Sequence, residues 1–162
     1  MPAREMTFWE RRRADLFVGL GLAVRAMTLG VKAFVVDGPP GDERILLIRH
    51  TYVPGWHLPG GGVERRETVW DAVAKEVREE THVELTARPE LFGVYKNTRH
   101  SRFDHIAFFV ARDWKEARTF EPNFEIAECT FFPARALPDG TGEATLDRVA
   151  EVLEGGAARE RW

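Results

Sequence analysis

The sequence predicts an α/β fold in which a mixed β-sheet carries helices on both faces. Stretches rich in β-branched and apolar residues are bounded by Gly, Pro and Asp, which is typical of strands joined by turns. Two segments with helical spacing of their apolar residues alternate with these strands. A length of 162 residues suits a single domain with a substantial buried core.

Residues 1–27 are expected to form an N-terminal helical extension, because Thr7 and Glu10 have the spacing of a capping box. Gly19 and Gly21 disfavour a regular helix in this segment. The apolar run LFVGLGLAV resembles part of a targeting signal, but it is far shorter than the ~20 apolar residues of a membrane span. We therefore expect no membrane segment.

The main domain is expected over residues 28–156, followed by a tail, residues 157–162, with fraying beyond Gly155. The turn GPPGDE should join the first two strands in a hairpin, and the loop YVPGWHLPGGG should contain a short strand. In chain order the predicted strands are TLGVKAFVVD, RILLIRH, LFGVYKNT, DHIAFFVARDW and IAECTFFP, and the last helix is EATLDRVAEVL.

Composition and charge exclude several classes of protein. With 44% hydrophobic and 30% charged residues, the chain is neither disordered nor collagen-like. A net charge of −3 argues against a surface built to bind nucleic acid, although Arg11 to Arg13 form a local basic cluster. Cys129 has no second cysteine with which to form an internal disulfide, which fits a reducing, cytoplasmic location. A homodimer is compatible with the sequence.

The central helix is expected to begin near Val69 and end near Thr81. Thr68 can cap it together with Asp71, three residues further on. Val69, Val73 and Val77 recur at intervals of four residues and therefore share one face, which should pack against the sheet.

Three glutamates lie close to this apolar face instead of opposite it. At about 100° per residue, Glu80 falls roughly 20° from the position of Val73, Glu76 roughly 60° and Glu79 roughly 120° on the same side. Carboxylates three or four residues apart lie ~5–6 Å from each other. At an effective dielectric constant of ~20 each pair would repel by roughly 3 kcal/mol.

Such a cluster must take up protons, reach into water or hold a cation. Mg²⁺ accepts carboxylate oxygens and commonly shares its shell with substrate phosphates, so the residue chemistry favours a magnesium site. A solvent-facing acidic edge is the alternative. Gly60, Gly61 and Gly62 precede the helix and allow the backbone to approach a ligand or metal closely.

The segment resembles the signature of the Nudix hydrolases, Gx5Ex7REUxEExGU, in which U is aliphatic. The matching positions are Gly61, Glu67, Glu76, Val77, Glu79, Glu80 and Val83, without an insertion. The upstream WHLPGG also resembles the usual lead-in of the family. The resemblance implies a Nudix-like α/β/α sandwich over residues 28–156.

Two signature positions depart from the family pattern. Lys75 stands where the family has an arginine. The resemblance implies that this arginine pairs with Glu67 and orients the neighbouring glutamate. A lysine supplies a point charge instead of a bidentate fork. His82 replaces the glycine that ends the helix in a left-handed conformation, and we expect His82→Gly to relieve strain and stabilise the fold.

The resemblance implies Mg²⁺-dependent hydrolysis of a nucleoside diphosphate linked to another moiety, with Mn²⁺ as an alternative metal. Its implied metal ligands are the carboxylates of Glu76, Glu79 and Glu80 and the carbonyl oxygen of Gly60. One of these carboxylates is instead a candidate general base. The resemblance also implies that a later glutamate, Glu125, reaches the same site, with Glu121 and Glu128 as rival candidates.

The resemblance implies a small nucleotide derivative as substrate, and the sequence leaves its identity open. Asn97 and Arg99, with His100 and Arg102 nearby, suit phosphate or ribose contacts, although an ordinary solvated loop explains them equally well. Tyr52 and Trp56 can stack on a base, but a tryptophan there more often packs beneath the sheet.

Two alternative functions follow from the same residues. A non-catalytic Nudix-like module would bind a nucleotide to regulate a partner, but such a module is expected to lose carboxylates that this helix retains. Hydrolysis of an RNA cap, aided by the Arg11 to Arg13 cluster, would need a larger basic surface. The five histidines have no spacing typical of a zinc site.

Overall fold

A computed structural model describes residues 27–98 and 103–162 of the chain. The predicted N-terminal extension, the Arg11 to Arg13 cluster, and Arg99, His100 and Arg102 lie outside the described residues. Within the described part, no helix is long and apolar enough to cross a membrane.

The described part contains seven strands and two helices. In chain order they are β1 (Thr28–Asp37), β2 (Arg44–His50), α1 (Val69–Thr81), β3 (Val83–Leu85), β4 (Glu90–Asn97), β5 (Asp104–Ala111), β6 (Trp114–Glu116), β7 (Ile126–Pro133) and α2 (Glu143–Leu153).

Five strands form a mixed sheet in the order β4-β5-β1-β2-β7. β1 pairs with β5 in parallel and with β2 in antiparallel orientation, which confirms the predicted hairpin. β2 also pairs with β7, and β4 with β5, both antiparallel. β3 and β6 form a separate two-stranded sheet beside the end of α1.

The alternation of side chains along β1 explains why helices cover both faces of the sheet. Val35 points to the face where Val73 and Val77 of α1 are buried. Phe34 points to the other face, where Val149 of α2 is buried. Full burial of a valine side chain contributes roughly 1.5–3 kcal/mol, so each face of β1 anchors one helix. The predicted α/β class with helices on both faces is therefore confirmed.

The two predicted helices of the main domain and the strands β1, β2 and β7 have the expected bounds. The predicted strand DHIAFFVARDW ends instead at Ala111, and Trp114 begins the separate strand β6. β3 and β6 have three residues each, which is too short for a periodic signal in the sequence.

The expectation of a frayed tail is wrong. The backbone N–H of Lys96 donates to the carbonyl oxygen of Glu160 at 2.8 Å, and that of Trp162 donates to the Lys96 carbonyl oxygen at 3.1 Å. The Trp162 ring packs edge-on against Tyr95 and Phe108, with centroids 5.5 and 5.7 Å apart. The free energy gained when the large tryptophan ring packs on its aromatic neighbours outweighs the conformational entropy lost by the glycine and alanine residues before it.

Candidate functional site: an acidic cluster beside a glycine loop

The loop that carries the three glycines lies along β1. The backbone N–H of Val31 donates to the carbonyl oxygen of Gly61 at 2.8 Å, and that of Ala33 donates to Pro59 at 2.9 Å. Gly60 has φ +137°, and a Cβ at this position would overlap the carbonyl oxygen of Val31. Only a glycine adopts this conformation and this close approach without strain.

This close approach brings Gly60 to the carboxylate of Glu80. The Gly60 N–H donates to Glu80 Oε2 at 2.6 Å. Glu80 is 6% exposed, Glu76 is half-buried and Glu79 is exposed, which is the order that the helical positions predict. The Glu76 carboxylate lies against Gly61 so closely that a Cβ there would overlap it.

Burial makes the charges of this cluster costly. It raises the pKa of Glu80 to about 7, despite the opposing effects of the Lys32 charge and the Gly60 hydrogen bond. Burial also raises the pKa of Glu76, although the charge of Lys75 opposes it. Burial therefore disfavours the charged forms of both carboxylates, and their oxygens are the ligands that a hard divalent cation prefers.

Lys75 makes the contacts expected for the basic residue of the signature. Its Nζ lies 3.0 Å from Glu67 Oε1, 3.1 Å from Glu64 Oε1 and 3.6 Å from Glu76 Oε1. The hydrogen bond to Glu67 is the largest cause of the raised pKa of Lys75. Lys75 thus links the loop before α1 to the glutamate that follows it in the helix.

Lys32 belongs to the site, although the sequence analysis did not select it. Its Nζ donates to the carbonyl oxygens of Leu58 at 2.9 Å and Gly60 at 2.7 Å. Burial lowers the pKa of Lys32, and the charges of Glu80, Glu76 and Glu125 oppose this effect. The available signal was a single lysine inside the otherwise apolar strand TLGVKAFVVD.

The structure places Glu125 beside Glu80. One ligand atom from each of His50, Glu80 and Glu125 lies within 4.8 Å of the others. The loop before β7 holds Glu125 in place, because the N–H of Thr51 donates to its carbonyl oxygen at 2.9 Å. Of the rival residues, Glu128 forms an ion pair with Arg49, and Glu121 is exposed.

His50 was also missed by the sequence analysis. It is the last residue of β2, and its Nδ1 is buried without a hydrogen-bond partner among the described residues. Burial lowers the pKa of His50, and the charge of Lys32 acts in the same direction. A histidine that ends a buried strand gives little signal by itself, because its partners come from distant parts of the chain.

A cavity of about 420 Å³ adjoins the cluster. Its lining includes Lys32, His50, the three glycines Gly60 to Gly62, Asn97, Asp104, Ile106 and Trp162. The cavity is large enough to accept part of a nucleotide-sized molecule.

Of the residues predicted to bind the substrate, some lie at the cavity or the acidic cluster and one does not. Asn97 lines the cavity and donates to Asp104 Oδ2 at 2.7 Å. Tyr52 is exposed, and its hydroxyl donates to Glu125 Oε1 at 3.2 Å. Trp56 packs edge-on against Phe132 at a centroid distance of 4.7 Å, so the structure does not bring it into the cavity. Trp56 therefore packs against the sheet, as the alternative interpretation held.

His82 has the left-handed conformation that the signature predicts, with φ 59°. It also makes contacts that the sequence did not indicate. A guanidinium nitrogen of Arg118 lies 2.9 Å from its Nε2, the Thr119 carbonyl oxygen lies 3.3 Å from its Nδ1, and its ring is 5.5 Å from that of Phe120. The effect of His82 on stability therefore depends on these contacts as well as on backbone strain.

Comparison with known proteins agrees with this geometry. The sequence model of the NUDIX domain matches residues 28–153. A MutT-like protein of Streptomyces ambofaciens is 49% identical over 57 residues, which cover 35% of this chain and 36% of that protein. An ADP-ribose pyrophosphatase of Methanocaldococcus jannaschii is 35% identical over 107 residues, covering 56% of this chain and 63% of that protein.

A solved structure is similar over more of its length. The crystal structure of a MutT NUDIX hydrolase from Burkholderia pseudomallei has a TM-score of 0.64 and 28% identity, and the match covers 77% of this chain and 97% of that one. An α/β fold with a carboxylate helix and a glycine loop beside a cavity is shared by this chain and the family that its sequence matches. The chain belongs to the Nudix hydrolase family. It spans 36% and 63% of the two curated relatives named above.

Proposed function

We propose that the protein is a metal-dependent pyrophosphohydrolase that cleaves the pyrophosphate of a nucleoside diphosphate linked to another moiety. The observation that carries this proposal is the buried Glu80, which is held by the Gly60 N–H beside further carboxylates and next to the cavity. Burial of several carboxylates is costly unless a cation neutralises them. Such clusters are therefore typical of functional sites.

Mg²⁺ is the proposed metal, with Mn²⁺ as an alternative. Its proposed ligands are Glu76, Glu79, Glu80 and the carbonyl oxygen of Gly60. When bound, the metal would neutralise developing phosphoryl charge and lower the pKa of a bound water. Glu79 is exposed and only pairs loosely with Arg78 at 3.8 Å, so it can turn towards a ligand without losing a buried contact.

The proposed general base is Glu125 or Glu79. Glu125 is supported by its position, because its carboxylate lies in the group of ligand atoms that contains Glu80. The Tyr52 hydroxyl donates to this carboxylate and would orient it towards an attacking water. A base must lie within hydrogen-bond reach of the proton that it removes, and a water between Glu125 and the metal would satisfy this requirement.

The cavity is the proposed binding site for the nucleoside part of the substrate. Asn97 lies in its wall, and Arg99 follows two residues later. Lys32 lines the cavity and its charge interacts with those of Glu80 and Glu76, so its ammonium is a candidate contact for a phosphate oxygen. Relatives named as an ADP-ribose pyrophosphatase and a putative 8-oxo-dGTP diphosphatase support a nucleotide substrate without selecting one.

A screen of nucleotide derivatives with Mg²⁺, with products separated by chromatography, tests this proposal. Glu80→Gln should reduce hydrolysis at least ~100-fold, since it removes a positioned carboxylate. Glu84→Gln is the matched control, because Glu84 is exposed and pairs with Lys115 at 3.0 Å just beyond α1. Nucleotide binding without turnover by the wild-type protein would favour the alternative, a non-catalytic regulatory module.

A further inference from the structure

His50, Glu80 and Glu125 come together from three separate parts of the fold. His50 ends β2, Glu80 lies in the last turn of α1, and Glu125 precedes β7. One nitrogen or oxygen ligand atom from each side chain lies within 4.8 Å of the other two. This spacing allows one cation to contact all three side chains after small side-chain rotations, since metal–ligand bonds are ~2.0–2.3 Å long.

An irregularity in the β2–β7 pairing positions the imidazole. Arg49 pairs with Glu128, but the next residue, His50, pairs with Ile126, so the register shifts between them. Bulges of this kind redirect a side chain and are frequent next to functional sites. The shift sets His50 next to the loop that carries Glu125, where the Thr51 N–H holds the Glu125 carbonyl oxygen.

The surroundings of the imidazole restrict its orientation but leave one nitrogen unsatisfied. The ring packs 5.3 Å from the Tyr52 ring and 6.0 Å from the His57 ring. Its Nδ1 is buried and has no hydrogen-bond partner among the described residues. A buried polar atom without a partner is costly, and a metal ion is one of the partners that would remove this cost.

We propose that His50 is a nitrogen ligand of a divalent cation that Glu80 and Glu125 also bind, and that it shifts the preference of the site from Mg²⁺ towards Mn²⁺ and Co²⁺. This inference deepens the proposed function and rests on it for the role of Glu80. Imidazole suits transition metals, whereas Mg²⁺ is bound by oxygen ligands. The two carboxylates outweigh the positive charge of Lys32, whose Nζ is held by the carbonyl oxygens of Leu58 and Gly60.

Pulsed electron paramagnetic resonance of bound Mn²⁺ tests the nitrogen ligand directly. With one equivalent of Mn²⁺, the wild-type protein should show coupling of the metal to a ¹⁴N nucleus. His50→Gln should abolish this coupling. His57→Gln is the matched control, because His57 is an adjacent histidine whose Nε2 already contacts the Pro54 carbonyl oxygen at 2.9 Å. This variant should retain the coupling.

Titration calorimetry supplies the second measurement. His50→Gln should weaken Mn²⁺ binding roughly 10-fold or more, as expected when a residue of a metal site is changed, and should change Mg²⁺ binding much less. Circular dichroism checks that each variant is folded, and a wild-type spectrum without nitrogen coupling refutes the proposal even if a variant does not fold. Equal losses for the two metals would overturn the shift in preference.

The outcomes separate this inference from the proposed function. Mn²⁺ that binds the wild-type protein without nitrogen coupling, or coupling that disappears in His57→Gln and persists in His50→Gln, would overturn the role of His50. Hydrolysis of a nucleotide derivative would still support the proposed function in that case. Nitrogen coupling in a protein that hydrolyses none of the derivatives would support the metal site and contradict the proposed activity.

Discussion

At the scale of single residues, Glu80 combines burial with negative charge. Burial raises its pKa to about 7, from an ordinary value near 4.5. A group whose pKa is raised by folding contributes stability below its unfolded pKa, and this contribution disappears as the pH rises through the folded pKa. The metal-free protein should therefore lose stability relative to a variant without this charge between about pH 4.5 and 7.

Glu80→Gln should reveal this loss in urea unfolding with a chelator present. Near pH 4.5 the two proteins should be similar, and by pH 8 the variant should be more stable by on the order of 1–3 kcal/mol. The glutamine can still accept the hydrogen bond from Gly60. Glu79→Gln is the control, because it removes an exposed carboxylate from the same helix. A flat difference for Glu80→Gln would show that its charge is well solvated.

Glu125 is distinguished from its rivals by its position. Glu125→Gln should lower kcat on the order of 100-fold, with a smaller change in KM, because a base or supplementary ligand acts mainly in the transition state. Glu128→Gln and Glu121→Gln should retain kcat, since Glu128 pairs with Arg49 and Glu121 is exposed. Steady-state kinetics of the three variants with Mg²⁺ decide the assignment, and an unchanged kcat for Glu125→Gln would refute it.

At the scale of elements, the glycine loop and the start and end of α1 determine the geometry of the site. Thr68 and Asp71 form the predicted capping box and set where the helix begins. The loop sets the distance between that helix and β1, because its backbone bonds to Val31 and Ala33.

Gly60→Ala and Gly62→Ala should therefore differ sharply. A Cβ at Gly60 would overlap the Val31 backbone, and its positive φ disfavours any other residue, so we expect a loss of several-fold or more in activity and roughly 1–3 kcal/mol in stability. A Cβ at Gly62 would meet nothing within 4 Å, and Gly62→Ala should stay within about 0.5 kcal/mol of wild type. Thermal unfolding and hydrolysis assays measure both. Equal effects would contradict a special role of Gly60.

His82 ends α1 at a position where strain and packing act in opposite directions. His82→Gly would relieve a left-handed conformation but would also remove a buried ring from contact with Arg118 and Phe120. The loss of hydrogen bonds and of buried surface should outweigh the free energy gained by relieving the strain. We therefore expect destabilisation by about 1–2 kcal/mol. His82→Asn separates the effects, because asparagine tolerates this conformation without replacing the ring. Urea unfolding of both variants would decide, and a more stable glycine variant would restore the explanation by strain.

At the scale of the whole molecule, the C-terminal tail packs against β4 and α2 beside the cavity. Trp162 packs on Tyr95, and the Tyr95 hydroxyl donates to Glu151 Oε2 at 2.7 Å. The buried guanidinium of Arg148 pairs with Glu151 at 2.7 Å and lies 5.2 Å from the Trp162 ring. The tail, β4 and α2 therefore share one buried network.

Trp162→Ala should destabilise the protein by roughly 2–4 kcal/mol, since it removes a large aromatic ring from this packing. Leu146→Ala is a control on α2, where Leu146 is 46% exposed and should contribute about 0.5 kcal/mol or less. Denaturant unfolding measures both variants. A loss no larger than that of the control would mean that the tail contributes little to stability.

The sequence by itself determined the elements whose signals are local. Spacing along the chain predicts the strands β1, β2 and β7, the two helices of the main domain, the cap at Thr68 and the relative burial of the three glutamates, because neighbours within one helix or strand set them. The match to the Nudix signature has the same origin, since its residues are contiguous.

The tertiary structure decided which distant residues meet. Lys32 and His50 join the site because β1, β2 and the glycine loop are adjacent in the fold, and Trp56 packs against Phe132 because β2 and β7 pair beneath it. The packed tail likewise depends on a tryptophan meeting Tyr95 across many residues of intervening chain. Contacts of this kind depend on how strands pair and helices pack, which spacing along the sequence does not encode.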